Sequence, residues 1–203
     1  LLFLCLSLLG VYFAITAGIS SDEEVEYNTY LLNISAIRGL IEGDLSAYQN
    51  LSTYHDRYYG VGFHLISYSL SSLLLGFNHQ LLEFSSLGSR LAWNHATNLI
   101  AFLGAGIVFR ASLVLLTYDR LIATLGMFTF LSWPYLMGHG LMNVKDVPFL
   151  LAWLCCTYQV LIMISRAENT SEPWMLRYLV LGVLTGWLIS IRVSGILIFI
   201  EYA

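Results

Sequence analysis

Charged side chains are scarce in this sequence. Only 11% of the residues are Asp, Glu, Lys or Arg, whereas a soluble globular domain carries about 25%. Hydrophobic residues make up 58% of the chain, and the mean hydropathy is +0.72. This composition excludes an ordinary soluble domain and indicates an integral membrane protein. The net charge of −4 adds little, because so few charges are present.

Several motifs that carry chemistry are also missing. The three cysteines, Cys5, Cys155 and Cys156, all lie in apolar runs. Their spacing gives neither the usual zinc pattern nor a disulfide framework. The sequence has no phosphate-binding glycine loop, no nucleophile elbow and no basic patch for nucleic acid. We therefore expect no nucleic-acid partner, while contact with membrane lipid follows from the composition.

Long apolar runs are what the sequence does have. A membrane-crossing helix needs about 20 predominantly apolar residues, and the candidate spans are 1–20, 91–116, 121–137, 147–165 and 176–203. Residues 60–78 are also long enough, but they contain His64 and several serines and stay ambiguous. We predict an all-α, polytopic transmembrane helix bundle. Because the chain starts at Leu and stops in an apolar run, we expect it to be part of a longer protein.

The segment 21–90 follows the first predicted span and forms a long loop. Apolar side chains recur in it every three or four residues, at Tyr27, Leu31, Ile34, Ile37 and Ile41. That period is typical of an amphipathic helix, and such a helix next to a membrane lies along its surface. We predict an external loop that carries amphipathic juxtamembrane helices.

The basic residues of the short connections suggest an orientation. Arg110 and Arg120 flank one connection and Arg166 and Arg177 flank another, and short loops rich in Lys or Arg tend to be cytoplasmic. If residues 60–78 do not cross the membrane, two spans separate the first loop from the segment 138–147. Both would then lie on the non-cytoplasmic face.

A cluster of acids follows directly on the first apolar run: Asp22, Glu23, Glu24 and Glu26. Ser20 followed three residues later by Glu23 fits a capping box, and acids in a first turn suit the helix dipole. A cap does not account for four carboxylates at a membrane boundary, where desolvation is costly. The alternative is a general base or a metal ligand. Glu24 and Glu26 are expected to face water.

The stretch GHGLMNVKDVP, residues 138–148, is the second polar segment between apolar runs. It fits a tight turn with a proline opening the next helix, or the floor of a polar pocket. In a pocket, Asp146 or His139 would position a metal or an acceptor, and Lys145 would bind an anion such as phosphate. Arg192 lies inside an apolar run, where an arginine usually faces a partner such as an anionic lipid head.

The order of these motifs resembles a known family. The acidic DEE after a first span, the run SRLAWNHATNLIAFLGAGIVF, the stretch LMNVKDVPF and TGWLISIRVSGILI follow one another. This order is similar to the N-terminal half of GT-C superfamily integral-membrane glycosyltransferases, such as the protein O-mannosyltransferases and the lipid A aminoarabinose transferase.

The resemblance implies roles for particular residues. Asp22 matches the first-loop catalytic acid, with Glu23 beside it, and Asp146 matches the second-loop acid. Arg90 matches the basic residue ahead of the second span. Together with Lys145 and Arg192, which we propose from the residues themselves, it would bind the donor phosphate.

The resemblance also implies a reaction and a location. The donor would be a polyprenyl- or dolichyl-phosphate sugar, and the acceptor a protein, lipid or glycan. Transfer would invert the sugar, in the bacterial inner membrane or the endoplasmic reticulum, with the active site facing the periplasm or lumen. The sequence leaves the metal requirement open, with a divalent cation as a possible cofactor. Two alternatives are a transporter fragment with an acidic and arginine-lined substrate path, and a noncatalytic assembly subunit.

Overall fold

The computed structural model describes residues 2–75, 87–168 and 173–203. These residues are almost entirely helical, as predicted. The α-helices are α1 (Leu2–Thr16), α2 (Ser21–Glu42), α3 (Ser46–Thr53), α4 (Gly62–Leu75), α5 (Leu87–Thr117), α6 (Arg120–Ser132), α7 (Pro134–Met142), α8 (Asp146–Ser165), α9 (Trp174–Ile191) and α10 (Ile198–Tyr202), with a 3-10 helix at Val193–Leu197.

Among the described residues, three helices, α5, α8 and α9, are long and apolar enough to cross a membrane. Helices α6 and α7 are bent by 64° where they meet and can be counted together as a fourth span. The bend has a local cause, since Pro134 opens α7 and the residue before a proline is pushed out of helical geometry. These helices confirm a polytopic membrane protein at the level of length and composition. The predicted spans 91–116 and 147–165 correspond to α5 and α8.

The first predicted span is shorter in the structure than in the sequence. Helix α1 has 15 residues, which gives a length of about 22 Å. The hydrocarbon layer of a bilayer is about 30 Å thick. Helix α1 therefore ranks with the shorter apolar helices, and a crossing by residues 1–20 stays a prediction.

The prediction of one continuous span over 176–203 is wrong. Helix α9 ends at Ile191, and Arg192 takes an extended conformation with φ −147° and ψ 133°. The backbone N–H of Gly60 donates to the Ile191 carbonyl at 3.2 Å, and Tyr59 forms an isolated antiparallel bridge with Arg192. The first loop thus binds backbone groups at the end of the helix, and the helix breaks there.

Helix α5 is the centre of the bundle. It packs against α1, α6, α7 and α8, and α8 in turn packs against α9. The buried core includes Phe102, Leu131, Ala152, Cys156 and Leu188. This packing brings the start of α2, the connection between α7 and α8 and the end of α9 to one end of the bundle.

The first loop has its own small core. Helix α2 ends at Gly43, whose φ of 82° is the left-handed conformation that favours glycine. Buried Tyr30, Val61 and Tyr68 form the core, and the predicted apolar stripe of α2 covers it with Tyr27, Leu31 and Ile34. Ile37 and Ile41, further along the stripe, are exposed. The membrane-surface position of α2 stays a prediction.

Helix α4 is the described part of the ambiguous stretch 60–78. Its 14 described residues span about 21 Å, and it packs against α9 and α5. The expectation that residues 60–78 do not cross the membrane stays a prediction. Residues 76–78 lie outside the described residues.

Candidate functional site

A cavity of about 410 Å³ lies where the start of α2 meets α7 and the connection to α8. Two segments more than a hundred residues apart in the sequence thus share one cavity. The lining residues are Ser20, Asp22, Glu23, Glu26, Pro134, Tyr135, Gly138, His139, Met142, Asn143, Val144 and Lys145.

The turn of α2 determines which carboxylates reach the cavity. Successive residues of an α-helix are rotated by about 100°, so Asp22 and Glu26, four apart, lie on nearly the same side. Glu23 is a quarter-turn away and also lines the cavity. Glu24 is on the far side, and its side chain is 63% exposed.

Glu23 is buried and bound on both oxygens. The backbone N–H of Ser20 donates to Oε2 at 2.8 Å, which confirms the capping role, and Oε1 lies 3.0 Å from His95 Nε2. The other ring nitrogen of His95 is 2.9 Å from the Ala14 carbonyl oxygen. A charged imidazolium, which donates from both nitrogens, fits two such acceptors. The Glu23–His95 pair therefore ties together α1, α2 and α5, and a catalytic role for Glu23 stays a prediction.

Arg90 lies at the start of α5, next to the exposed acid of α2. Its Nη2 is 2.7 Å from Glu24 Oε2, and its guanidinium stands 3.9 Å above the ring of Tyr27. Only 8% of the Arg90 side chain is exposed. The described residues that line the cavity do not include Arg90, and its predicted contact with a donor phosphate is untested.

Glu26 does not face water, contrary to expectation. It is buried and forms an ion pair with Lys145, whose Nζ also stands 3.8 Å above the ring of Tyr59. The expectation failed because Glu26 was placed with Glu24, although its four-residue spacing from Asp22 puts it on the cavity side of α2. Lys145 is the only lysine of the sequence.

Asp146 opens α8 and forms an ion pair with Arg192. The carboxylate also accepts a hydrogen bond from Asn143 Nδ2 at 3.0 Å. The Oδ1 of Asn143 accepts from the backbone N–H groups of Lys145 and Asp146, at 3.2 and 2.7 Å. His139 Nδ1 lies 2.9 Å from Asn143 Nδ2. Asn143 thus holds the turn between α7 and α8 and contacts both His139 and Asp146.

Tyr59 contacts two of the three cations that were predicted to bind phosphate, Lys145 and Arg192. Its ring centre lies 3.8 Å from Lys145 Nζ and 5.7 Å from the Arg192 guanidinium carbon. A second cavity of about 360 Å³ adjoins Arg192, and Tyr59 and Ser194 are among its lining residues. The two cations therefore belong to one polar region that extends over two neighbouring cavities.

Three residues of this region were not predicted. The four-residue spacing from Asp22 could have identified Glu26. No local pattern singles out Tyr59 among the thirteen tyrosines or His95 among the histidines, because their partners come from distant parts of the chain.

In the described part of the chain, no three His, Cys, Asp or Glu side chains are grouped so that they could hold a metal ion. No family model, no curated protein and no solved structure matches the chain.

Proposed function

We propose that the protein is a GT-C-like glycosyltransferase that moves a sugar from a polyprenyl-phosphate donor to an acceptor, with inversion. The observation that carries this proposal is the shared cavity, which brings carboxylates from the start of α2 together with Lys145 from the other side. Sugar transfer from a lipid phosphate needs a base for the acceptor and positive charge for the leaving group. The cavity lies beside helices of membrane-spanning length, where a lipid-linked donor would be held.

Asp22 is the residue to which we assign the general base. It lines the cavity and its side chain is exposed, whereas Glu23 and Glu26 are buried against His95 and Lys145. In the proposed step the Asp22 carboxylate takes the proton of an acceptor hydroxyl, and the hydroxyl oxygen bonds to C1 of the sugar. The bond between C1 and the phosphate oxygen breaks, and its electron pair leaves with the polyprenyl phosphate.

Positive charge on the departing phosphate would come from Lys145 and Arg192. Both cations lie beside the ring of Tyr59, so they are close enough to act on one phosphate. Charge that is fixed where the leaving group develops its own is a strong source of rate acceleration. Asp146 and His139, joined through Asn143, would orient the acceptor.

The test is the substitution Asp22→Asn, which keeps the size of the side chain but cannot take a proton. It should lower sugar transfer at least about a hundredfold, in the range of general base catalysis, and leave donor binding unchanged. Transfer is measured from a radiolabelled polyprenyl-phosphate sugar in liposomes. Glu24→Gln, on the far side of α2, is the matched control and should keep near-normal transfer. Near-normal turnover by Asp22→Asn would contradict the assignment.

The break in α9 favours a second candidate, a transporter. Transporters often place their substrate at interrupted helices, and here Arg192 lies at the interruption. The two functions differ in product: a transferase forms a new glycosidic bond, while a transporter moves unmodified substrate. Mass analysis of the acceptor after incubation in proteoliposomes separates them.

We also propose that the cavity faces the non-cytoplasmic side. Cysteines placed at exposed Asn50 and Gly138, in a protein whose native cysteines are replaced, should react with a membrane-impermeant thiol reagent from that side. A cysteine at Tyr118, which is 87% exposed at the opposite end of α5, should react from the cytoplasm. Labelling of Asn50→Cys and Gly138→Cys from opposite sides would overturn the proposed orientation.

A further inference from the structure

Lys145 lines the cavity and is already paired with a carboxylate. It is the only lysine of the chain, and its Nζ contacts Glu26 Oε1 on the wall of the cavity. The two side chains are 18% and 6% exposed. The cation that best suits a bound anion in this cavity is therefore already occupied by a carboxylate of the protein.

A phosphate and a carboxylate compete for such a cation. Both present anionic oxygens to the same ammonium donors, and two anions beside one ammonium repel each other. We propose that Glu26 is a displaceable occupant of an anion site, and that a phosphate ester binds Lys145 by taking the place of Glu26. This inference rests on the proposed function, because it names how the donor phosphate enters that site.

The other acids of α2 are not placed for this exchange. Glu23 is held by the Ser20 amide and by His95, so its release would open the helix cap. Glu24 pairs with Arg90 on the far side of the helix. Glu26 alone among these three carboxylates pairs with a cation that lines the cavity.

The exchange has a consequence for the reaction. Glu26 and Asp22 lie four residues apart on the cavity side of α2. When phosphate displaces Glu26 from Lys145, the freed carboxylate stays beside Asp22 on the cavity wall. Donor binding and the release of Glu26 are thus one event, and Glu26 sets the affinity for the donor.

Lys145 can be observed selectively by NMR. Reductive methylation with ¹³C-formaldehyde in detergent gives dimethyl signals, and the signal that Lys145→Arg removes is that of Lys145. The probes are inorganic phosphate and geranyl phosphate. If both probes shift the Lys145 signal, phosphate alone is sufficient for binding. If only geranyl phosphate shifts it, binding also needs the lipid. A signal that moves with neither probe overturns the proposal.

Variants then test the role of Glu26. Glu26→Gln should bind the active probe at least about tenfold tighter, because the competing charge is gone. Glu24→Gln, the control outside the cavity, should bind like the unchanged protein, and Lys145→Met should lose binding. If Glu26→Gln does not fold, Glu26→Asp retracts the carboxylate by one methylene and should also bind more tightly. Unchanged or weaker binding by the folded Glu26 variant would overturn the exchange.

The two proposals can fail separately. A protein that binds phosphate in exchange for Glu26 but forms no glycosidic bond would refute the glycosyltransferase and leave the anion site. A protein that transfers sugar while the Glu26 variants bind the donor unchanged would refute the exchange and leave the glycosyltransferase.

Discussion

Replacing Glu23 should destabilise the protein far more than replacing its neighbour Glu24. Glu23 is 2% exposed and binds the Ser20 amide and His95, which itself reaches the carbonyl of Ala14. Its loss leaves a buried histidine without its carboxylate. Glu24 also pairs with an arginine, but its own side chain is 63% exposed. Two adjacent carboxylates of one helical turn thus provide a matched comparison.

The expected magnitudes follow from burial. Removing one partner of a buried ion pair costs about 3–5 kcal/mol, whereas an exposed pair contributes about 0–1 kcal/mol. Although Arg90 is buried, water reaches the carboxylate of Glu24, which is 63% exposed, so we expect the smaller cost for this pair. Glu23→Gln keeps an acceptor for the Ser20 amide and should cost about 3 kcal/mol. Glu23→Ala also loses the cap, which adds about 1 kcal/mol. For a chain of this size each kcal/mol lowers Tm by about 2–4 °C, so Glu23→Gln should lower Tm by about 6–12 °C.

The assay is thermal unfolding in detergent, followed with a thiol-reactive dye that becomes fluorescent when buried Cys156 is exposed. Glu24→Gln should lower Tm by at most about 4 °C. A double-mutant cycle adds His95→Gln. If the lost stability comes from the ion pair, Glu23→Gln should lower Tm only slightly further once His95 has been replaced. Equal Tm values for the Glu23 and Glu24 variants, or additive effects in the cycle, would refute the reasoning.

Two further predictions concern the first loop. Burial lowers the pKa of His64 from 6.5 to about 4, so the unfolded chain binds a proton that the folded protein does not. The contribution of His64 to stability is then fully present above about pH 6.5 and falls by about 3 kcal/mol as the pH drops to 4. His64→Phe should remove this part of the slope in pH-dependent unfolding, and the matched control is a substitution of exposed His55. A methyl group on Gly60 would collide with the backbone oxygen of Ser190, so Gly60→Ala should lower Tm by several degrees, whereas Gly182→Ala, with open space around it, should not. A Gly60→Ala protein as stable as Gly182→Ala would show that the loop does not depend on this contact.

The helices were predictable because their signals are local. Apolar runs of the right length gave α5 and α8 within a few residues, since hydropathy is a property of consecutive side chains. The end of α9 was not predictable in this way. The backbone at the break contacts Gly60 and Tyr59, which lie more than a hundred residues earlier in the chain.

The site was predictable in outline but not in its pairings. The count of crossings predicted that Asp22 and the stretch 138–147 lie on one face of the membrane. That orientation stays a prediction, while the structure shows one cavity that includes both segments. The error on Glu26 was avoidable, because the helical period already places it beside Asp22. The Glu23–His95 pair was not accessible, since a histidine inside an apolar helix gives no local sign of a partner 72 residues away.

The density of acids at the start of α2 has a physical explanation in these pairings. Three of the carboxylates point in different directions and meet cations from other elements: Glu23 meets His95, Glu24 meets Arg90 and Glu26 meets Lys145. Charges at the edge of a membrane are costly unless they are paired, so these contacts also dock the first loop onto the bundle. A helix cap needs one of these acids, and docking needs the other two. Asp22 lines the cavity, and it is the acid to which we propose to assign the chemistry.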